Sequence, residues 1–266
     1  MLNLLRADFY KLLRRKSFYV CAILGIIVAC LSTVLENMTV NYSLQGMGMD
    51  FDSLPAMYRL YFSGVSAFSR TIGIAAIFIT IMVTMFVASE FSFGTIKNII
   101  TTGKSRLSVY TSKLIMALVI STIYTLLCAL AGFVTGSILW GIGEITRTEY
   151  LEIFRMIGLI IAVEFSMQAV FTMISFIIRT TGAAMTVNLI IGTIVSESLP
   201  IINIVFKRML SVEEFDVLKY WPYTYLGVFN QLEISTDQIT QGLIVCAVAF
   251  VVPTIIGMFT FQKRDI

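Results

Sequence analysis

Few residues in this chain have the types and spacing that chemistry needs. There is no histidine, so zinc, haem and triad chemistries lose their usual ligand or base. Gly103-Lys104-Ser105 has the closing letters of a G-x-x-x-x-G-K-[ST] loop, whose backbone N–H groups cradle phosphates. The opening glycine of such a loop would fall at Asn98, and no buried strand precedes it. Nucleotide binding by this chain is therefore not expected. Cys21, Cys30, Cys128 and Cys246 all lie inside apolar runs and read as small core residues, not as a disulfide framework. Asn37-Met38-Thr39 and Asn41-Tyr42-Ser43 fit the glycosylation pattern, which matters only in a secretory-pathway protein. The remaining chemical candidates are Glu164, Gln168 one turn further on, and Asn188, all within apolar stretches. A carboxylate near a bilayer centre costs about 2.5–3.5 kcal/mol on insertion scales, so Glu164 is expected to face protein or a wet cavity. There it either lines a translocation path with Gln168 and Asn188, carries a proton, or serves as structural glue paired with Arg155 or Arg70.

The elements that position these residues follow from composition. Of 266 residues, 58% are hydrophobic and 13% charged, and the mean hydropathy is +0.89. Soluble domains carry about a quarter charged residues; half that amount leaves no polar shell. The net charge of +3 is too small to suggest a nucleic-acid partner. A bilayer-spanning helix needs about 20 apolar residues, and six runs qualify, at about 18–35, 71–89, 114–140, 156–178, 181–196 and 242–261. They are continuously apolar, without the alternation of a membrane barrel. The expected fold is an all-α integral membrane protein with six transmembrane helices in one domain spanning residues 1–266. Gly132-x-x-x-Gly136 in the third run permits close helix approach, with internal packing as the default.

Orientation follows the positive-inside rule. With the N-terminus inside, the cytoplasmic segments hold twelve Lys and Arg against three Asp and Glu, and the remaining segments hold seven against thirteen. Both chain ends are therefore expected in the cytoplasm. A signal-peptide reading of the first run is disfavoured, because about 17 residues precede its apolar core and five further spans follow. The segment 197–241 falls outside. Its apolar stretches 199–206 and 217–229 are too short to span and read as re-entrant or interfacial helices, with Tyr220, Trp221, Tyr223 and Tyr225 suited to the interface.

Two cytoplasmic segments stand out. As a helix, residues 1–17 put Leu2, Leu5, Phe9 and Leu12 on one face and Asp8, Lys11 and Arg15 on another. Such a basic amphipathic helix should lie in the inner leaflet, its cations near anionic head groups. It serves as a topology signal or as a docking elbow. The loop 90–113 contains a second short helix over 93–100, with Phe93, Ile96 and Ile100 on one side. Gly103 is placed to end it, and Ser105 to cap the third span.

The order of Glu90, Phe91, Gly94-Thr95, Lys97, Ile99-Ile100, Ser105-Arg106 and Lys113 resembles the signature loop of ABC-2 type transporter permeases. The pattern from Leu5 to Lys16 is similar to that family's elbow helix, and the long segment before the last span, with Pro222, is similar too. Gly103 stands where family members often have proline. The likeness covers essentially the whole chain, and the loop is its most specific part.

That resemblance implies the membrane half of an ATP-driven exporter in the plasma membrane. Two permeases, identical or sister subunits, would sit on two separate ATPase subunits that bind ATP and Mg, leaving this chain without a cofactor and not itself an enzyme. Glu90, Phe93, Gly94, Thr95, Ile96, Lys97, Ile100 and Arg106 would form the coupling element, with Glu90 and Arg106 holding its angle. Leu5, Asp8, Phe9, Lys11, Leu12 and Arg15 would belong to the elbow helix. The cargo implied is amphipathic or lipophilic, as in small bacterial exporters of antimicrobial peptides, including lantibiotic-immunity types. The alternatives are a non-transporting membrane sensor or scaffold, and an ion-coupled secondary transporter using Glu164.

Overall fold

The computed structural model of the protein describes residues 1–51, 61–143, 147–210, 216–229 and 234–263. Of the charges that set the expected orientation, Asp52, Arg59, Glu144, Glu213, Glu214, Glu233, Arg264 and Asp265 lie outside them. The described residues form an all-α bundle without strands. Helix α1 covers Leu2–Arg14. The backbone turns extended at Arg15, and α2 runs from Lys16 to Gly46 as span one. Span two is built from α3 (Gly64–Arg70) and α4 (Ile72–Ser92), joined at Thr71. The short α5 (Thr95–Thr101) leads to α6 (Arg106–Trp140), span three. Span four lies in α7 (Arg147–Ile178). Span five combines α8 (Thr181–Leu189), a π-helical turn at Ile190–Val195 and α9 (Ser196–Leu210). A 3₁₀ turn at Val217–Tyr220 and α10 (Thr224–Phe229) precede α11 (Thr236–Lys263), span six. Among the described residues six helices are thus long and apolar enough to cross a bilayer.

Spans two, three and four make the centre. Their apolar windows are half or more buried, whereas those of spans one, five and six are 11–28% buried and face outward. The contact between spans two and three depends on small residues. A Cβ on Gly132 would lie 2.2 Å from Thr71 Oγ1, and one on Gly136 would lie 2.5 Å from Ala67 Cβ. The GxxxG pair therefore serves internal packing. Thr71 donates from Oγ1 to the Cys128 carbonyl at 3.0 Å, stapling the joint of span two to the same surface.

Two boundaries differ most from the sequence reading. Span one continues as helix to Gly46, well past the expected end near residue 35. An apolar run measures only the part of a helix within lipid, and the polar residues 36–46 extend the same helix. Span five does not stop before Pro200; α9 carries that proline inside it and continues to Leu210. The stretch 199–206 is therefore the end of a span and not a re-entrant helix. A proline removes one backbone donor, and spans tolerate the loss where local π adjustments re-satisfy the freed groups; here a π turn immediately precedes α9. The stretch 217–229 does form short helical pieces. Tyr223, Tyr225 and Phe229 from it are buried in one core with Met156, Val163 and Cys246.

Candidate functional site

The described ionic groups concentrate at the end of the bundle where α1, the 90–113 loop and the last turn of α11 meet. Asp8 on α1 is fully buried, as is Lys113 two turns into α6, and Glu90 near the end of α4 is 2% exposed. Lys113 Nζ lies 2.7 Å from Asp8 Oδ1 and 2.7 Å from Glu90 Oε2. Lys11 Nζ reaches Glu90 Oε1 at 3.2 Å. The Ser112 hydroxyl donates to Asp8 Oδ2 at 2.7 Å. Two carboxylates thus share one ammonium, and a second ammonium balances the set. Such a cluster is tolerated away from water because each member has a close partner of opposite sign. Lys113 Nζ also sits 4.9 Å from the centre of the Phe86 ring.

Arg15, in the turn between α1 and span one, extends the same contact. Its Nη1 donates to the Met85 carbonyl at 2.9 Å, and its Nη2 to Ser89 Oγ at 2.7 Å. Burial pushes the Arg15 pKa down and the nearby Glu90 carboxylate opposes that; an arginine remains protonated either way. The N-terminal helix is therefore bound to the ends of spans two and three by side chains one or two turns apart: Asp8, Lys11 and Arg15.

The face of α1 that docks differs from the apolar face expected from periodicity. Leu4, Asp8 and Leu12 are buried, Leu5 is half-buried, and Leu2 and Phe9 are exposed. The polar set expected to face head groups instead turns toward the protein. Its partners Ser112 and Lys113 are more than a hundred residues away in sequence, where a periodicity reading cannot see them.

The loop 90–113 is tied to further helix ends. Ser92 Oγ accepts from the Thr181 backbone N–H at 3.3 Å and lies 3.0 Å from Thr181 Oγ1, at the start of span five. Arg106 Nη1 donates to the carbonyls of Phe261 (3.2 Å) and Gln262 (3.0 Å) at the end of span six. Carbonyls in the last turn of a helix have unused acceptor capacity, and a cation there also meets the negative end of the helix dipole. Arg106 thus secures the end of span six, and the cations opposite Glu90 are Lys113 and Lys11. Next to Glu90 in the chain, Phe91 joins Tyr110, Phe176 and Phe261 in an aromatic plate. Its ring centroids are 5.1 Å apart for Phe91–Phe176, 4.7 Å for Tyr110–Phe176 and 4.8 Å for Phe176–Phe261. Spans two, three, four and six each contribute one ring.

The short helix α5 differs slightly from its expected form. Gly94 adopts φ 68°, a conformation in which a Cβ is strained, so the helix starts at Thr95 and not at Phe93. Ile96 is buried, and Ile100 packs at the edge of the core. Phe93 is 80% exposed, so it does not share a buried face with them. Gly103, at φ 83°, follows the helix, and Ser105 Oγ accepts the Ser108 backbone N–H at 3.2 Å to cap α6. The result is a short helix anchored by Ile96 that presents Phe93, Lys97 and Asn98 outward.

The intramembrane candidates are separate from this site. Asn188 Nδ2 lies 2.7 Å from Thr84 Oγ1, 3.2 Å from the Phe171 carbonyl and 3.3 Å from Ser175 Oγ, joining spans two, four and five. Glu164 is buried, with Gln168 Nε2 at 3.5 Å from Oε2 and no hydrogen-bond partner for Oε1 among the described residues. Arg70 does not pair with it; Arg70 pairs with Glu36 at 3.3 Å. No group of three or more His, Cys, Asp or Glu able to hold a metal occurs among the described residues.

Lys113 as the centre of the cluster, the Arg106 link to span six and the aromatic plate were not assigned from sequence. Lys113 did leave a signal: a lysine at the threshold of a long apolar run needs an anion if it is buried. The arrangement defines an all-α membrane protein with six candidate spans, whose helix ends converge on a single loop. The chain belongs to the family described as "Protein of unknown function (DUF2705)", which matches residues 22–266. That range includes Glu90, Arg106 and Lys113 but not Asp8, Lys11 or Arg15. No curated protein matches the chain.

Proposed function

We propose that this chain is the permease subunit of an ATP-driven ABC exporter, and that the 90–113 loop receives motion from a separate ATPase. The observation that carries this reading is the tethering of that loop. Its residues bond to α1, to the start of span five and to the end of span six, while Phe93 and Lys97 remain exposed. A push on α5 would reach all these helix ends together, because the ionic cluster and the aromatic plate resist local deformation. The likeness of Glu90–Lys113 to the ABC-2 signature loop supports the same assignment. The excess of basic residues at these segments supports a cytoplasmic position for this end and for both chain ends, and the family likeness supports the plasma membrane. The two ATPase subunits would bind ATP and Mg, a second permease would complete the pair, and the cargo would be an amphipathic or lipophilic molecule.

The test is to purify the chain from its native membrane and assay for a copurifying ATPase activity. Recovery of a nucleotide-binding subunit whose turnover changes on binding the chain supports the reading; absence of any such subunit overturns it. A second reading, ion-coupled transport through Glu164, draws on the Oε1 of that residue, which has no hydrogen-bond partner among the described residues. It requires ion-driven uptake into vesicles without ATP.

A further inference from the structure

Glu164 lies near the middle of span four and is 1% exposed. Among the described residues it makes no ion pair, its Oε1 has no hydrogen-bond partner, and Gln168 Nε2 reaches Oε2 only at 3.5 Å. The elements packed against this part of span four supply no cation. Span two contributes Thr80 and span five Gly192. Span three contributes Ala129, span six Cys246 and the 216–229 segment Tyr223. The thiol and the phenol are the titratable groups among these, and each can only gain negative charge. On span four itself Arg155 stands nine residues earlier, about 14 Å along the axis. An ionised carboxylate in this shell is a lone buried charge. The neutral acid costs far less, since it carries no charge and keeps one O–H donor and its acceptor oxygens.

One segment covers this acid at the end of the bundle opposite the 90–113 loop. Tyr220 is 68% exposed and Tyr223, three residues further on, is buried, so the chain passes from the surface into the core within one turn. The Tyr223 hydroxyl lies against Thr80 and within electrostatic range of Glu164, and it has no hydrogen bond of normal geometry among the described residues. The segment consists of a 3₁₀ turn and the six-residue α10. Two side-chain bonds tie it to α9: Trp221 Nε1 donates to Ser196 Oγ at 3.0 Å, and Asn203 Nδ2 to Asp216 Oδ1 at 2.9 Å. The rings of Tyr225 and Phe229 occupy the space that a side chain at Gly242 would fill. The anchor is therefore span five, whose apolar window is the least buried at 11% and which carries the π turn at Ile190–Val195.

We propose that Glu164 is a proton-binding site whose occupancy keeps the 216–229 segment seated. With the proton bound, the segment closes over a neutral acid. When the proton leaves to water, the carboxylate must be hydrated, and the segment lifts to admit the water. Burial of one unpaired charge costs more than two neutral hydrogen bonds contribute, so the two ties to α9 do not hold the segment down over an ionised Glu164. The site belongs to the chain alone and needs neither an ATPase nor an ion gradient, so it stands or falls separately from the transport readings.

The test uses the full chain in dodecyl maltoside. Trp140 and Trp221 are its two tryptophans, so in Trp140→Phe the fluorescence of Trp221 alone reports the segment. Quenching of Trp221 by acrylamide should rise as the pH is raised from neutral, and Glu164→Gln in the same background should lose that rise. At neutral pH the infrared spectrum should contain a protonated-acid C=O band that Glu164→Gln lacks. Tyr223→Ala keeps the acid and removes its cover, so the quenching rise should move to lower pH; this variant tests the link even if Glu164→Gln folds poorly. An infrared band unaffected by Glu164→Gln overturns the proton site. Quenching that does not respond to pH, that rises equally in Glu164→Gln, or that is unmoved by Tyr223→Ala overturns the coupling to the segment.

Discussion

Replacing Lys113 with methionine is the sharpest perturbation of the ionic cluster. Asp8 and Glu90 each have an oxygen 2.7 Å from the same Nζ, so those two oxygens are at most about 5.4 Å apart. Removing the ammonium leaves two carboxylates facing each other, with a repulsion of about 3 kcal/mol at an effective dielectric of about 20. Breaking a buried pair by removing one partner costs about 3–5 kcal/mol, so Lys113→Met should destabilise the protein on that scale. Asp8→Asn should cost less, because Lys113 keeps Glu90. Combining the two leaves Glu90 with Lys11 and no net charge, so the double variant should be more stable than the sum of the single losses predicts. The assay is a double-mutant cycle on unfolding in detergent, followed by tryptophan fluorescence. A coupling of at least about 1.5 kcal/mol is expected. Additivity within about 0.5 kcal/mol, the behaviour of independent sites, would refute the shared-ammonium description.

Three other substitutions separate structural from functional roles. Phe93→Asp should leave the unfolding free energy unchanged within about 0.5 kcal/mol, as an exposed substitution does, yet abolish stimulation of the proposed ATPase subunit; lost stability with retained stimulation would reverse that assignment. Gly136→Leu drives a side chain into Ala67 and should cost about 1–3 kcal/mol by overpacking, read as a lower unfolding midpoint in the same detergent. Glu164→Gln removes an intramembrane carboxylate that has no ion pair among the described residues, and should leave stability equal or higher. A loss above about 1 kcal/mol would show that the carboxylate makes a favourable contact when charged.

How far the sequence carries depends on the range of each interaction. Six spans were legible because 20 apolar residues in a row are a local property, and Gly103 and Ser105 were legible because caps and turns are set within a few positions. Helix ends beyond the lipid were not. Residues 36–46 and the helix past Pro200 are polar or contain a breaker, and only the structure shows the chain continuing through them. The face of α1 was misread for another reason. Asp8 is tolerable in the core only because Lys113 and Ser112 meet it, and those partners are distant in sequence. Arg106 was singled out from the loop pattern, but its bonds to the end of span six depend on where the last helix finishes, which no local pattern encodes. Glu164 was flagged by its cost in lipid, and of its alternatives the Arg70 pairing is not made, because Glu36 holds Arg70.

The central claim is that α5 is the surface on which a soluble ATPase acts. It is tested most directly by placing a photo-cross-linking phenylalanine analogue at Phe93 and, as a control, at Met209, which is also 80% exposed. After irradiation in native membranes, position 93 should yield an adduct with a nucleotide-binding ATPase subunit, identified by mass spectrometry, and position 209 should not. Adducts from position 93 with lipid alone, or the same protein captured from both positions, would contradict the account.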